Sequence, residues 1–414
     1  MSDQQIASRP STAEELRHQL ADRLLADKKI RTSAVETAMR AVPRELFVPG
    51  VPLATAYADD TVSIKTDEAG TSISAASQPR IVALMLEQLQ VEPGHRVLEL
   101  GAGTGYNAAL LAHLTGPAGR VVTIDVDDDL VRGARANLAR AGVTGVDIVL
   151  GDGRLGHPDT APFDRITATV GAFEVPRAWL DQLHPAGRLL VPVRLAGAVS
   201  RTVPFVSDGH GGWIGDGSEM AGFMPLRDPG TTPAGSSAID LTGTGAATLQ
   251  PNRDNLHATD PAALTGVLNT RHTIVPTGVF VGRQESFEQL YLWLACRLPN
   301  PPMWLRSAKD AFPGLPAQTM ATTAGGSLAH LGYHLTKDGG DRFELDFHGY
   351  GPGGADLAAQ LAAEAALWDH RFRNHPAVIA IPATPPTADP DRGRFVLARS
   401  TTPMTVTWNT EDPR

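Results

Sequence analysis

RVLELGAGTGYNAALLAHLTGPAGRVVTID, residues 96–125, decides the fold. Val97, Leu98 and Leu100 supply the apolar run of a strand buried on both faces. Gly101, Gly103 and Gly105 permit a tight turn and close approach of backbone to a ligand. A helix starts at Tyr106, and a second strand ends at Asp125, where a carboxylate can accept hydrogen bonds from both hydroxyls of an adenosine ribose. Strand, glycine turn, helix and acid-terminated strand together make a nucleotide-cofactor cradle.

Dinucleotide-binding proteins share such glycines, so the residues around them must choose the cofactor. The pattern is E-x-G-x-G-x-G, with Glu99 two positions before Gly101, and no second dinucleotide-binding half follows. A carboxylate this close to a helix N-terminus repels a pyrophosphate, whereas it can help order the loop and the amino-acid end of S-adenosyl-L-methionine. The spacing therefore favours S-adenosyl-L-methionine. Downstream, DIVLGDGRLG (147–156) reads as a strand ending in Gly-Asp-Gly. That tripeptide is either an ordinary turn or, from its place in a doubly wound sheet, a site where Asp152 and Gly153 meet the adenine. FDRITATVGAFEVPRAWLDQLHPAGRLLVPV (163–193) then gives strand, loop, helix and strand, with Trp179, Leu180 and Leu183 as the expected buried face of the helix. Upstream, Pro79 opens an amphipathic helix carrying Ile81, Leu84, Met85 and Gln88. Ser77 suits its N-cap on local chemistry alone.

In this order VPRELFVP (42–49), AYADD (56–60), SQPRIVALM (77–85), VLELGAGTGYNAALLA (97–112), GDGRLG (151–156) and VPRAWLDQLHPAGRLLVPV (175–193) resemble the protein-L-isoaspartate O-methyltransferase family. The resemblance runs over residues 12–227, with GFMPL (222–226) similar to the family's closing strand. It implies an α/β class I methyltransferase fold, a Rossmann-like doubly wound sheet, and transfer of a methyl group from S-adenosyl-L-methionine to a carboxylate of an aspartyl-derived residue in a peptide. By position Ser77 matches the family's active-site serine and Asp59 the acid before the active-site loop. Glu99, Gly101, Gly103, Gly105, Asp125, Asp152 and Gly153 fall to the cofactor, and Gln78, Thr169 and Val170 to the substrate.

Two departures bear on the acceptor. The loop SIKTDEAGTSISAASQP (63–79) is longer than is usual in repair enzymes and rich in Gly, Ser and Thr, and the chain continues far beyond GFMPL. That combination resembles the subgroup with a C-terminal extension associated with lanthipeptide and graspetide biosynthesis. It implies a ribosomally synthesised precursor peptide as partner, methylated on an aspartate to give an ester that closes to succinimide and can hydrolyse to isoaspartate. The family itself implies the alternative, repair of isoaspartyl residues in damaged proteins.

The remaining sequence is less specific. A length of 414 residues holds two domains. The expected division is a helical segment over 1–50, the methyltransferase domain over 51–227, a Gly/Pro/Ser/Thr-rich linker over 228–255 with one short strand at 238–241, and a C-terminal α+β domain over 256–414. Ser11 and Glu14 suit a capping box before Leu16, Leu20, Leu24 and Leu25, and a second helix is expected over 33–41. In the C-terminal half, strands are expected at 272–281, 343–350 and 377–382, and helices at 286–297 and 355–372.

A net charge of −9 without a Lys/Arg cluster argues against nucleic acid as acceptor. With no signal-peptide pattern and no long apolar run, neither export nor membrane spanning is expected, and the protein reads as cytoplasmic. The single cysteine, Cys296, sits in the apolar stretch LYLWLACRL and reads as a buried free thiol. FELDFHGYG places Asp346 and His348 on one strand face, but two such residues are too few for a metal site, and no metal is expected. The 13 histidines show no metalloprotease spacing, and no serine has a nucleophile elbow around it. Peptide recognition is the work expected of the C-terminal domain, with dimerisation and shielding of an apolar face as the alternatives.

Overall fold

A computed structural model describes residues 11–68, 70, 72–227, 238–308, 315–336 and 341–408. The chain divides into two compact units. The first takes the described residues of Met1–Pro192, Thr202–Ser207 and Ala221–Thr232, and the second those of Val193–Arg201, Asp208–Met220 and Pro233–Arg414.

The first unit begins with helices α1 (Ala13–Ala26), α2 (Ser33–Ala41) and α3 (Leu53–Ala56). A hairpin of β1 (Val62–Thr66) and β2 (Ser72–Ala76) follows, then α4 (Pro79–Leu89). The chain continues as β3 (Arg96–Leu100), α5 (Tyr106–Thr115), β4 (Arg120–Asp125), α6 (Asp128–Arg140), β5 (Val146–Leu150), β6 (Phe163–Ala168), α7 (Arg177–Asp181), β7 (Leu183–Ala196) and β8 (Val199–Ser207). Strands β3 to β7 pair in parallel in the order β7–β6–β3–β4–β5. The chain moves outward from β3 to β5 and returns to the other side of β3 as β6. This makes a topological switch point between β3 and β6, and the crevice at the strand C-termini there is where a doubly wound sheet binds ligands. Val97, Leu98, Leu100, Val121 and Ile166 are fully buried, as expected of parallel strands covered on both faces. The fold is that of a class I methyltransferase.

Residues of α1 and α2 share one core with α4 and α5, through Leu20, Leu24, Val35, Met39, Val82, Tyr106 and Ala109, so the N-terminal helices belong to this unit. The capping box is shifted by one from expectation. Thr12 Oγ1 accepts from Glu15 N–H and Glu15 Oε2 accepts from Thr12 N–H, because Ala13 begins the helix. Nor is α4 amphipathic in practice: Val82 to Leu89 are all buried, and Glu87 accepts hydrogen bonds from Arg31 N–H, Thr32 N–H and the Thr32 hydroxyl. Trp179 and Leu180 are buried on α7, but the helix ends at Asp181 and Leu183 already starts β7.

The second unit contains β9 (Trp213–Gly215), β10 (Glu219–Met220), β11 (Ile239–Asp240), β12 (Ala247–Gln250), α8 (Pro261–Leu264), β13 (His272–Gly282), α9 (Glu288–Arg297), β14 (Met303–Ser307), β15 (Gln318–Ala324), β16 (Ser327–Leu335), β17 (Arg342–Tyr350), α10 (Gly354–Arg371), β18 (Ala377–Ile381), β19 (Arg394–Leu397) and β20 (Met404–Trp408). Seven of these strands form an antiparallel sheet in the order β11–β12–β14–β15–β16–β17–β13, with α10 packed against β13, β16 and β17. Strands β9, β18, β20 and β19 pair in that order; Trp293 stacks on Phe372 and meets Phe395 of β19 and Trp408 of β20 edge to face.

The linear division at 227 and the linker over 228–255 need correction. Residues 193–201 and 208–220 belong to the second unit, where Arg194 donates to Asn252 and Gly197 N–H to Asp254. Residues 238–255 carry β11 and β12, and Leu241 just after β11 and Leu249 of β12 are buried with Leu264, Met303 and Leu305. The short strand expected at 238–241 is β11, and it is β12 that the neighbouring polar turn residues mask in the sequence. Residues 228–237 lie outside the described residues.

Candidate active site

The glycine turn closes the C-terminal end of β3 against β4 and β6. Gly101 N–H and Ala102 N–H both donate to Ile124 O, and the Thr169 hydroxyl donates to Gly101 O at 2.7 Å. Gly101 has φ +108°, and a Cβ there would lie 2.5 Å from Thr169 Oγ1 and 3.2 Å from Val170 Cγ1. Packing as well as conformation thus excludes a side chain. Gly103 differs: its φ is +50°, yet a Cβ would meet nothing within 4 Å. Conformation, not packing, is what favours glycine there. Gly105 caps α5 and packs against Ala134 and Leu138 of α6.

Asp125 ties this loop to β4. One carboxylate oxygen accepts from Gly103 N–H at 2.9 Å and the other from Asp127 N–H at 3.2 Å. Burial raises the Asp125 carboxyl above its ordinary range, with the two backbone bonds opposing the shift. Glu99 takes a different place from the one its spacing suggested. It is fully buried, accepting from Asn107 Nδ2 at 2.8 Å and the Thr123 hydroxyl at 2.6 Å, so it braces β3, β4 and α5 and bonds to none of the three glycines. Burial pushes its carboxyl up to about 7.

Asp152 follows β5, accepts from Arg154 N–H and pairs with the Arg154 guanidinium at 2.8 Å, which holds its carboxyl below the usual range. Gly153 is buried beside Leu100 and Leu226, and its carbonyl accepts from Trp179 Nε1. Both thus lie at the same end of the sheet as the glycine turn. Arg154 is a partner for Asp152 that the motif gave no reason to expect.

Ser77 lies between β2 and α4. Its carbonyl accepts from Arg44 Nη2 at 2.9 Å, and its hydroxyl makes no hydrogen bond among the described residues. It is not the helix N-cap. Gln78 holds that position without a side-chain capping bond, and its Nε2 donates to Asp59 O at 2.7 Å. Asp59 caps the helix from outside instead: its carboxylate accepts from Arg80 N–H at 2.9 Å and pairs with the Arg80 guanidinium. Asp59, Ser77 and Gln78 are thus brought together at the start of α4, and Gly101, Thr169 and Val170 at the C-terminal ends of β3 and β6.

Arg44 is a residue that sequence reasoning missed. Its side chain is fully buried, donates to Ala56 O and Ser77 O, and lies 4.9 Å from the centre of the Tyr106 ring. Its only sequence signal was membership of the VPRELFVP stretch. A second unforeseen group is ionic. Lys65 of β1 reaches Asp127 at 3.2 Å and Asp129 at 2.8 Å, while Arg227 reaches Asp127 at 2.6 Å.

In the second unit Asp346 and His348 share a face, as their alternation predicts, but cross-strand neighbours join them. His348 bonds Asp346 at 2.9 Å and His272 at 2.9 Å, and His334 bonds Asp346 at 2.8 Å. Buried His330 stacks on His348 with ring centres 4.8 Å apart, and its Nε2 lacks a partner among the described residues. No group of three or more His, Cys, Asp or Glu among the described residues is placed to hold a metal ion. Burial pushes the Cys296 thiol up to about 12, so it is no thiolate nucleophile at neutral pH. Among the described residues no helix is long and apolar enough to cross a membrane.

A family model described as protein-L-isoaspartate(D-aspartate) O-methyltransferase matches residues 14–229. The protein-L-isoaspartate O-methyltransferase of Methanopyrus kandleri is 44% identical over 178 residues, spanning 43% of this chain and 76% of the relative. That of Methylorubrum extorquens is 44% identical over 179 residues, spanning 43% and 74%. Among solved structures, one described as a protein-L-isoaspartate O-methyltransferase covers 88% of this chain and 96% of its own at 22% identity and a TM-score of 0.48. A Plasmodium falciparum structure of the same description, in complex with S-adenosyl-L-homocysteine, covers 51% and 98% at 20% identity and a TM-score of 0.44.

Proposed function

Because the chain belongs to the protein-L-isoaspartate O-methyltransferase family, and so is a protein carboxyl O-methyltransferase, we propose that its acceptor is the carboxylate of an isoaspartyl residue in a damaged protein. The observation that carries this reading is the continuous family match over residues 14–229, which takes in the glycine turn, Asp125, Ser77 and Asp59.

The residues present fit S-adenosyl-L-methionine. Asp125 would hold the ribose, the open space at Gly103 would admit the cofactor against backbone, and Asp152 with Gly153 would border the adenine. When bound, the cofactor supplies a sulfonium methyl group open to in-line attack by a carboxylate oxygen. A carboxylate is already ionised at neutral pH, so the chain needs no strong base. The Ser77 hydroxyl has its donor capacity free and orients one acceptor oxygen, Arg44 and Asp59 fix the backbone on either side of it, and Thr169 and Val170 border the acceptor. The resulting ester loses methanol when the next backbone nitrogen closes a succinimide, and hydrolysis of that ring at one carbonyl gives aspartate and at the other isoaspartate, which can be methylated again.

A second reading keeps the same chemistry and changes the partner, to an aspartate of a ribosomally synthesised precursor peptide whose succinimide or isoaspartate is the product. What supports it is a compact second unit that lies mostly beyond the matched residues and so is additional to the methyltransferase domain. Intact-mass spectrometry of the full chain with cofactor and two peptides that differ only in aspartate or isoaspartate separates the readings. Methylation of the isoaspartyl peptide alone supports repair. Methylation of the aspartyl peptide followed by methanol loss overturns repair in favour of the second reading.

A further inference from the structure

Lys65 and Arg227 are 162 positions apart in sequence, yet both meet the same oxygen of Asp127, at 3.2 and 2.6 Å. Lys65 also reaches Asp129 at 2.8 Å, so two cations and two carboxylates form one neutral cluster. Its position is informative. Asp127 lies two residues past Asp125 and donates its N–H to the Asp125 carboxylate. Lys65 stands on β1, whose partner β2 runs directly into Ser77. Arg227 ends a segment in which Leu226 N–H donates to Gly171 O and the Leu226 side chain lies near Gly153. The cluster therefore joins the strap carrying Ser77 to the acid end of β4, and joins both to the chain bordering Gly153.

We propose that the Lys65–Asp127–Arg227 cluster is a clasp at the mouth of the cofactor crevice, and that Lys65 is a positioning residue governing release of the spent cofactor. The inference rests on the cofactor reading given above. Side chains of Asp127 and Arg227 are only 18% and 15% exposed, so their pairing escapes much of the screening felt by surface ions, while Lys65, at 30%, is the arm that can leave. Opening the clasp frees the β1–β2 hairpin from α6 without disturbing Gly103 or Asp125. Exchange of S-adenosyl-L-homocysteine for fresh cofactor, required once per turnover, is then faster at high salt.

Dissociation of S-adenosyl-L-homocysteine from the full chain, followed by stopped-flow, tests this. Wild-type protein binds it with a salt-dependent off-rate, Lys65→Met raises that rate about fivefold and removes most of the salt dependence, and Lys65→Arg restores both. KM for S-adenosyl-L-methionine rises in Lys65→Met while kcat stays level or increases. An unchanged off-rate in folded Lys65→Met overturns the clasp with the cofactor reading intact. Failure of wild-type protein to bind the ligand overturns the cofactor reading and the clasp with it. Should Lys65→Met not fold, Asp129→Asn removes the 2.8 Å contact and must give the same acceleration.

Discussion

Asp59 accepts the main-chain N–H of Arg80 at 2.9 Å and thereby caps α4 from outside the helix, leaving the hydroxyl of Ser77 unengaged beside it. An N-cap contributes about 1 kcal/mol, and this one also sets the entry of the Ser77 segment. Asp59→Ala should lose about that much stability in urea unfolding and turn over several-fold more slowly. Asp59→Asn, which keeps the acceptor oxygen, should retain most of both. Equal loss in the two variants would assign the carboxylate charge a chemical role.

Ser77→Ala should lower kcat while leaving S-adenosyl-L-homocysteine affinity unchanged, since its hydroxyl bonds to nothing that shapes the cradle. Asp125→Ala removes the acceptor for Gly103 N–H and should mainly weaken cofactor binding. Calorimetric titration of both variants checks the division, and equal loss of affinity in the two would contradict it.

The glycines of the turn should separate by mechanism. Gly101→Ala places a Cβ against the Thr169 hydroxyl and should cost about 1–3 kcal/mol of stability. Gly103→Ala meets no protein atom and should fold with a smaller loss, but its methyl group occupies the open space and should reduce cofactor affinity more than stability. Thermal unfolding and calorimetry on the pair read this out.

Burial pushes the Glu99 carboxyl up to about 7 from an ordinary value near 4.5. The group is raised in the folded state, so the stability it contributes is fully present below its unfolded value and is lost as pH rises through about 7, by on the order of 3 kcal/mol. Glu99→Gln removes the titration. Relative to wild type, the Tm of the ligand-free variant should rise between pH 5 and 8, and parallel profiles would show that Glu99 does not carry this dependence.

His330 has the opposite sign. Burial lowers its imidazole to about 4, so its contribution is present above the unfolded value near 6.5 and is lost as pH falls toward 4. The lowered His272 and the carboxylate of Asp346, held low by its two histidine bonds against burial, share the same sheet face. Acid should therefore unfold the second unit in this window, and His330→Phe should flatten the slope. Tryptophan fluorescence follows that unit, because five of the six tryptophans lie in it.

Local chemistry made the methyltransferase core legible. The apolar runs at 97–100 and 121–124, the glycine turn and Asp125 lie within one βαβ unit, where spacing along the chain translates directly into distance. The helix over 33–41 and the strands near 272–282, 342–350 and 377–381 were equally readable from periodicity. Tertiary structure decided what depends on distant segments meeting. Asp59 rather than Ser77 caps α4 because a loop 21 residues earlier supplies the better-placed acceptor. Arg44 beneath Ser77, Lys65 and Arg227 on Asp127, the histidines around Asp346, and the interleaving of 193–201 and 208–220 with the second unit all follow from strand register and chain return. The side chains in these contacts carry no sign in sequence of which partner they will meet, since a charge or an imidazole selects its neighbour only after packing has fixed the backbone.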